Sequence, residues 1–480
     1  MSLTSSLNAA LAGLDLTSRR ADLVARNVAN ADAPGYARRS LEGSGPAGLP
    51  GSQASVGRPV DPRLVQLRRE AQSREAGATV MQAFHTELDQ ILGDPDQPGS
   101  LQDTIARLDA SFVSAAANPN VPSRLTEVAL AAEALAGKLR SIDAVVQDGR
   151  QRADTEIERA VDQLNADLGE VERLNVDIRR VRAGGNDAAD LLDRRTVLIN
   201  RISETIPVRE LPRDGGAVAL VTEGGLLILD GRPVEVGFAS RSPITADMTA
   251  PSTLSGLTVN GRDVPTAGPA SGIKGGSLEA LFALRDKIAP EATASLDGMA
   301  GDLILRFEGA TVTVGNPAGT SGLFTDQGAS YTAGAPEGLA GRITLNAAVA
   351  VDRPDLHFRL RDGLGAVAPG NEGDASLLLR YGEALSMHGL PLAGGMPAVQ
   401  SNLPGHAAGL RSIISAARVE ADDRVSYHRS RSLELEERRD GAGVDIDAEM
   451  RRLIDVEQAY AANARVMQAV SDMMNRLTEI

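Results

Sequence analysis

Residues 3–40 read LTSSLNAALAGLDLTSRRADLVARNVANADAPGYARRS, and the architecture can be worked out from how this stretch begins and how it stops. Leu3, Leu7, Ala10, Leu14, Thr17, Ala21, Val24 and Val28 fall at alternating intervals of four and three residues. That is a heptad seam, and it predicts one long amphipathic helix. Helix propensity falls through Asn27 and Asn30, Pro34 forbids continuation, and Gly35 suits the positive φ of a type II turn. Asn30, Pro34, Gly35 and Tyr36 are therefore expected to form a turn that acts as a hinge between the helix and a preformed body.

The far end repeats the pattern. Leu453, Val456, Tyr460, Asn463, Met467, Val470, Met474 and Leu477 are spaced three and four residues apart, predicting a second one-striped helix. Neither stripe gains anything from facing water. Two arrangements satisfy both: the helices pack inside one monomer, or they are contact elements between subunits that order on assembly. Asn463 is a polar residue on the second seam, where it either fixes register or marks the seam's edge. Asp445, Asp447 and Glu449 alternate just ahead of this helix, with Asp447 expected as its cap.

Between the ends, residues 53–206 read as several long antiparallel helices split at the Pro-containing stretches 93–100 and 118–123 and at the turn AGGND. The clearest seam there is Ile157, Val161, Leu164, Leu168, Val171 and Ile178, with Asn175 in the skipped position. Composition shifts at Pro207: two β-type runs flank Glu223-Gly224-Gly225, and SGLTVNGRDV and ATVTVG add strand-like pieces. Helical spacing returns with Leu278, Leu281, Phe282 and Arg285. The expected fold class is α+β, an elongated rod of long N- and C-terminal helices with a β-rich insertion. Its expected parts are a terminal helix at 1–40, a helical bundle at 41–307 with a hairpin region near 207–270, a small mixed β-rich domain at 308–404, a return helix at 405–443 and a second terminal helix at 444–480.

The composition narrows the chemistry. Among 480 residues, 42% are apolar but only 2% aromatic, with no Trp, five Tyr and seven Phe, so the core must be built from Leu, Val, Ile and Ala. The net charge of -15 argues against a nucleic-acid binder, which needs a basic footprint. The absence of cysteine excludes disulfides, thiolate metal sites and thiol catalysis. No run of about 18 apolar residues predicts a membrane span, and the N-terminus lacks the pattern of a cleaved secretory signal. His85, His357, His388, His406 and His428 are scattered with no metal-ligand spacing and read as surface or loop residues. Asp94, Asp96 and Gly99 mimic the start of a calcium loop, but its twelfth position would be Ile105. No catalytic, cofactor or metal site is expected.

With the residues laid out, a resemblance emerges at both ends. LNAALAGLDLTSRRADLVARNVANADAPGYARR resembles the N-terminal signature of the bacterial flagellar rod, hook and hook-associated family, and GVDIDAEMRRLIDVEQAYAANARVMQAVSDMMNRL resembles its C-terminal signature. The interior stretches ADLLDRRTVLINRISE, GGSLEALFALRDKIAP and GRITLNAAVAVDRPDL resemble the hook-associated branch rather than ordinary hook or rod subunits. Two departures stand out: Ala33 replaces the usual Thr before Pro-Gly-Tyr, and Pro59, Val60 and Asp61 replace an aromatic-Asp pair.

The resemblance implies an extracellular structural subunit, exported by the flagellar type III route and placed at the junction between hook and filament. Its implied partners are copies of itself in a helical array, the hook protein, the next hook-associated protein, and an export chaperone at the C-terminal region. The subunit contacts would be Leu3, Leu7, Leu14, Val24 and Val28 with Leu453, Val456, Tyr460, Asn463, Met467, Val470, Met474 and Leu477. A hook- or filament-type subunit and a secreted coiled-coil adhesin are the competing expectations; an enzyme would need a clustered catalytic set within residues 207–430.

Overall fold

A computed structural model describes residues 3–42, 55–311, 319–332, 337–389, 401–441 and 443–478. The first terminal helix, α1, spans Leu3–Ala29, and a short antiparallel pair, β1 (Ser40–Glu42) with β2 (Ser55–Gly57), follows its turn. Three helices come next. Asp61 caps α2 (Pro62–Leu92), with Pro62 in the first turn where a missing N–H costs nothing. Ser100 caps α3 (Leu101–Ala117) by accepting the Asp103 N–H, and Asp103 in return accepts the Gly99 N–H. The longest element is α4 (Pro122–Ala183), whose 62 residues extend about 93 Å at 1.5 Å per residue. It ends at Gly184-Gly185 and turns back into α5 (Ala189–Thr205).

The central core forms on α4. Ile157, Val161, Leu164, Leu168, Val171 and Ile178 are all buried, so the heptad reading of this helix holds along its length. On it rest a four-stranded antiparallel sheet, β3 (Val208–Pro212), β4 (Val218–Thr222), β5 (Leu227–Asp230) and β6 (Arg232–Pro233), and a three-stranded one, β7 (Val236–Gly237), β8 (Leu257–Val259) and β9 (Arg262–Val264). The hairpin at Glu223-Gly224-Gly225 joins β4 to β5, and Asn260-Gly261, both at positive φ, joins β8 to β9. The stretch ATVTVG begins at the end of a helix, and its residues 312–315 lie outside the described residues.

Helix α6 (Gly276–Ala283) runs through a π turn at Leu284–Ile288 into α7 (Ala289–Ala310). The π turn aims Arg285 into the interior, fully buried, where it pairs with Asp154 at 2.7 Å, donates to the Ser255 carbonyl at 3.0 Å and lies over the rings of Phe238 and Phe282. Arg150, one turn before Asp154 on α4, donates to the backbone carbonyls of Arg285, Thr245, Ala246 and Met248. These two arginines tie the irregular stretch 238–256 to the helix.

Residues 308–404 do not form the separate β-rich domain expected. Their described part holds one antiparallel strand pair, β10 (Phe324–Asp326) with β11 (Ile343–Leu345), and three helices, α8 (Leu339–Arg342), α9 (Arg359–Asp362) and α10 (Ser376–Ser386). All share one apolar core with α3, α4 and α7. Phe112, Phe307, Phe324 and Tyr381 stack there with ring centroids 5.1–5.9 Å apart, so four of the chain's few aromatics weld the segment to the body. Two histidines are also placed differently from expectation. His357 is buried and bonded to Thr126 and the Ala350 carbonyl, and His406 is buried 3.3 Å from Asp302. The chain closes with α11 (Leu403–Gly441), packed along α2, and α12 (Ile446–Thr478), packed along α1.

Candidate functional site: the terminal helix pair

Among the described residues no group of three or more His, Cys, Asp or Glu is placed to hold a metal ion, and no helix is long and apolar enough to cross a membrane. The surface with a distinctive build is the pair formed by α1 and α12. Residue contacts run in opposite directions along the two, Asn463 near Gly13 and Glu449 near Asn27, so the helices are antiparallel.

The structure brings together most of the expected seam, but not all of it. Val24 and Val470 are buried, and Leu7, Leu14, Val28, Leu453, Val456, Asn463 and Met467 are partly covered. Tyr460 is 51% exposed and Met474 41%, although both repeat the heptad position of Leu453 and Met467. The side chains of Leu3 and Leu477 lie outside the described residues. Leu23, which the four-three spacing passes over, is buried beside Val24.

Apolar side chains of the pair also remain in solvent: Leu11, Ile446, Met450, Ile454, Tyr460, Val466, Met473 and Met474 are each at least 40% exposed. On α12 they include Ile446, Tyr460 and Met474, which repeat the heptad position of Leu453 and Met467, and residues flanking that position.

The pair meets the body at a polar hub. Asn27, 1% exposed, uses both ends of its amide: Oδ1 accepts the Tyr36 hydroxyl (2.9 Å) and the Arg39 N–H (2.9 Å), while Nδ2 donates to the Arg39 carbonyl (3.0 Å) and Glu449 (3.2 Å). Glu449 also accepts from Arg38 Nε at 2.8 Å and pairs with Arg452. Burial alone would push the Glu449 carboxyl up. The hydrogen bonds from Arg38 and Asn27 and the charges of Arg38 and Arg452 outweigh it and hold it below the usual glutamate range.

From this hub the chain reaches α5. Arg39 pairs with Asp190 (2.6 Å) and Asp193 (3.1 Å), and Arg58 pairs with Asp193 (2.7 Å) and donates to Thr196 (3.1 Å) and the Gly35 carbonyl (3.4 Å). The hydrogen bond from Arg39 holds the Asp190 carboxyl below its ordinary value. Gly35 sits at φ 75° in a turn closed by Tyr36 N–H to the Ala33 carbonyl. A side chain there would strike Val197 on α5, so glycine serves both the turn and the close approach. Asn30 bonds back to the Arg26 carbonyl at 2.8 Å and Pro34 is exposed. The cap of α12 is Asp445, whose Oδ1 accepts the Ala448 N–H at 3.0 Å, and not Asp447: the helix starts two residues earlier than its acidic run suggested.

The stretches that meet at this hub are the two terminal signatures, and the C-terminal one falls within a region that a family profile matches. The profile described as flagellar hook-associated protein FlgK helical domain matches residues 85–311, and the one described as flagellar basal body rod FlgEFG protein C-terminal matches residues 440–480. The chain is thus similar to flagellar axial proteins over its helical middle and at its C-terminal end. Relatives include flagellar hook-associated protein 1 of Salmonella typhimurium, 24% identical over 240 residues, and that of Escherichia coli K12, 22% identical over 240 residues. Each alignment spans 48% of this chain and 43% or 44% of the relative, so the chain matches less than half the length of these relatives. The solved structure of the flagellar hook junction protein FlgK from Burkholderia pseudomallei is 20% identical, covering 54% of this chain and 46% of that one with a TM-score of 0.45.

Proposed function

We propose that this chain is a structural subunit of the bacterial flagellum, assembled at the junction between hook and filament, and that it works by contact rather than catalysis. The observation that carries this reading is the set of exposed apolar side chains on the α1–α12 pair, borne on the segment whose C-terminal half matches a rod-type profile. Part of the apolar surface holds the two helices together, and the rest is left for a neighbour. Head-to-tail contacts that do not close build helical arrays, and each large apolar side chain fully buried there contributes about 1.5–3 kcal/mol.

In this reading residues 1–40 and 444–480 are the assembly helices, and the remainder is the body they carry. The partners are other copies of the chain, the hook protein below and the next hook-associated protein above. An export chaperone covers the C-terminal region beforehand, and the chain travels through the type III apparatus to the cell exterior. A hook- or filament-type role is the competing reading; the match of residues 85–311 to a hook-associated helical domain favours the junction.

The test is electron microscopy of hooks from a strain lacking the gene. Filament attachment should be lost, restored by the chain, and not restored by its Leu14→Asp variant. Normal filaments on the Leu14→Asp strain, or on the deletion strain itself, would overturn the reading.

A further inference from the structure

A heptad seam does not choose its own register. Sliding one helix by seven residues along its partner returns the same faces to contact, so apolar spacing alone leaves several pairings of α1 and α12 close in energy. Two polar contacts break that degeneracy. Asn463 lies over Gly13, where a Cβ would stand 2.7 Å from its Nδ2 and would push the amide from its present place. Asn27 meets Glu449 at 3.2 Å in the buried hub.

The interval from Gly13 to Asn27 is 14 residues, and so is the interval from Glu449 to Asn463. The two contacts are two heptads apart on both helices and belong to a single register. A one-heptad slip moves Glu449 opposite Arg20 or Pro34 and Asn463 opposite Ser6 or Arg20, emptying the space over Gly13 and taking Glu449 from the hydrogen bonds of Asn27 and Arg38. An ionised carboxylate buried without those partners is costly.

We propose that Gly13 with Asn463 and Asn27 with Glu449 form a two-point lock that selects one register of the α1–α12 pair, and thereby fixes where its exposed apolar side chains stand relative to the body. The lock concerns the free chain; its consequence for assembly rests on the junction reading above. Gly13 and Asn463 set the register along the seam. Asn27 and Glu449 set it again where the pair joins the body through Arg38 and Arg39, so that register and attachment are decided together. All four are positioning residues.

The chain has no cysteine, so two introduced ones report alone. Spin labels at Ser18→Cys on α1 and Ser471→Cys on α12, both exposed, lie offset along the helix axis, and a one-heptad slip changes that offset by about 10 Å. Pulsed dipolar spectroscopy of the labelled full-length chain should give one narrow distance. Adding Glu449→Leu and Asn463→Leu keeps the pair apolar and should add a second distance about 10 Å away, with the melting transition of the body unchanged.

Glu449→Gln keeps an acceptor for Asn27 and should retain the single distance. If the double variant keeps one unchanged distance, if it shows only a broad spread, or if the parent already shows two, the lock is overturned. A chain that attaches filaments yet shows two distances defeats the lock alone, and one that shows a single distance yet fails to attach filaments defeats the junction reading alone.

Discussion

Asn165 on α4 exchanges two hydrogen bonds with the backbone of Val236, its Oδ1 taking the N–H at 3.0 Å and its Nδ2 giving to the carbonyl at 2.7 Å. Ten residues further along the helix, Asn175 does the same for Val218, at 3.1 and 2.9 Å, and also accepts from Arg195 at 2.8 Å. Each amide stands in for the missing edge of a strand partner, which is how one helix carries two small sheets without leaving their backbone unpaired. Replacing either Asn by Ala strands two backbone groups and should cost about 1–3 kcal/mol in urea unfolding. Asn175→Ala should cost the more, because Arg195 is buried beside it and loses an acceptor.

Asp143 makes the stability of the body depend on pH. It is buried on α4 with Oδ1 unpartnered, against Gly341, with the half-buried carboxylate of Asp297 nearby. Burial first, and then the charge of Asp297, push its pKa up to about 6 from an ordinary 3.8. A raised carboxylate pKa means the native state holds the proton more tightly than the unfolded one, so this group's contribution improves as pH falls from above 6 toward 4. Asp143→Asn should therefore be more stable than the parent at pH 8 by about 2–3 kcal/mol, with the difference shrinking below pH 6. Equal stability of the two at pH 8 in denaturant titrations would show that the buried carboxylate is compensated.

The Arg285–Asp154 pair should behave as a buried unit. Both side chains are essentially inaccessible, so Asp154→Leu alone leaves a buried guanidinium missing one partner and should cost about 3–5 kcal/mol. The double variant Asp154→Leu with Arg285→Met should cost less than the single one, since it removes both charges together. A double-mutant cycle by thermal or urea unfolding measures the difference.

Removal of residues 444–480 should leave the melting transition of the body within a few degrees of the full chain, because α12 packs mainly along α1 and shares little with the central core. Loss of helical signal should match the deleted helix and no more. Global unfolding in far-ultraviolet circular dichroism would show that the terminal pair holds up the body.

Much of this molecule was legible before any coordinates. The four-three spacing of α1, α4 and α12, the Pro and Gly stops, the hairpin at Gly224-Gly225, and the positive φ of Gly35 all came from local patterns, and local backbone chemistry enforces them. The misreadings share one cause. Residues 308–404 look loop-rich, and only contact with Phe112 and Phe307 on distant helices shows that Phe324 and Tyr381 belong to the main core. His357 and His406, read as surface residues, are buried for the same reason, since their partners Thr126 and Asp302 lie far away along the chain.

Sequence alone determined the long helices, their breaks, the lack of any metal or thiol chemistry of cysteine, and a pair of terminal signatures, the second of which a family profile matches. Those are matters of spacing, composition and backbone freedom within a few residues. Only the tertiary structure decided that Asn463 sits over Gly13, that Asn27 grips Glu449, and that some apolar side chains of the terminal helices are spent inside the chain while others are left outside. A repeating seam specifies which face is buried but not what lies against it, and residues more than four hundred positions apart acquire a relationship only when the fold brings them together.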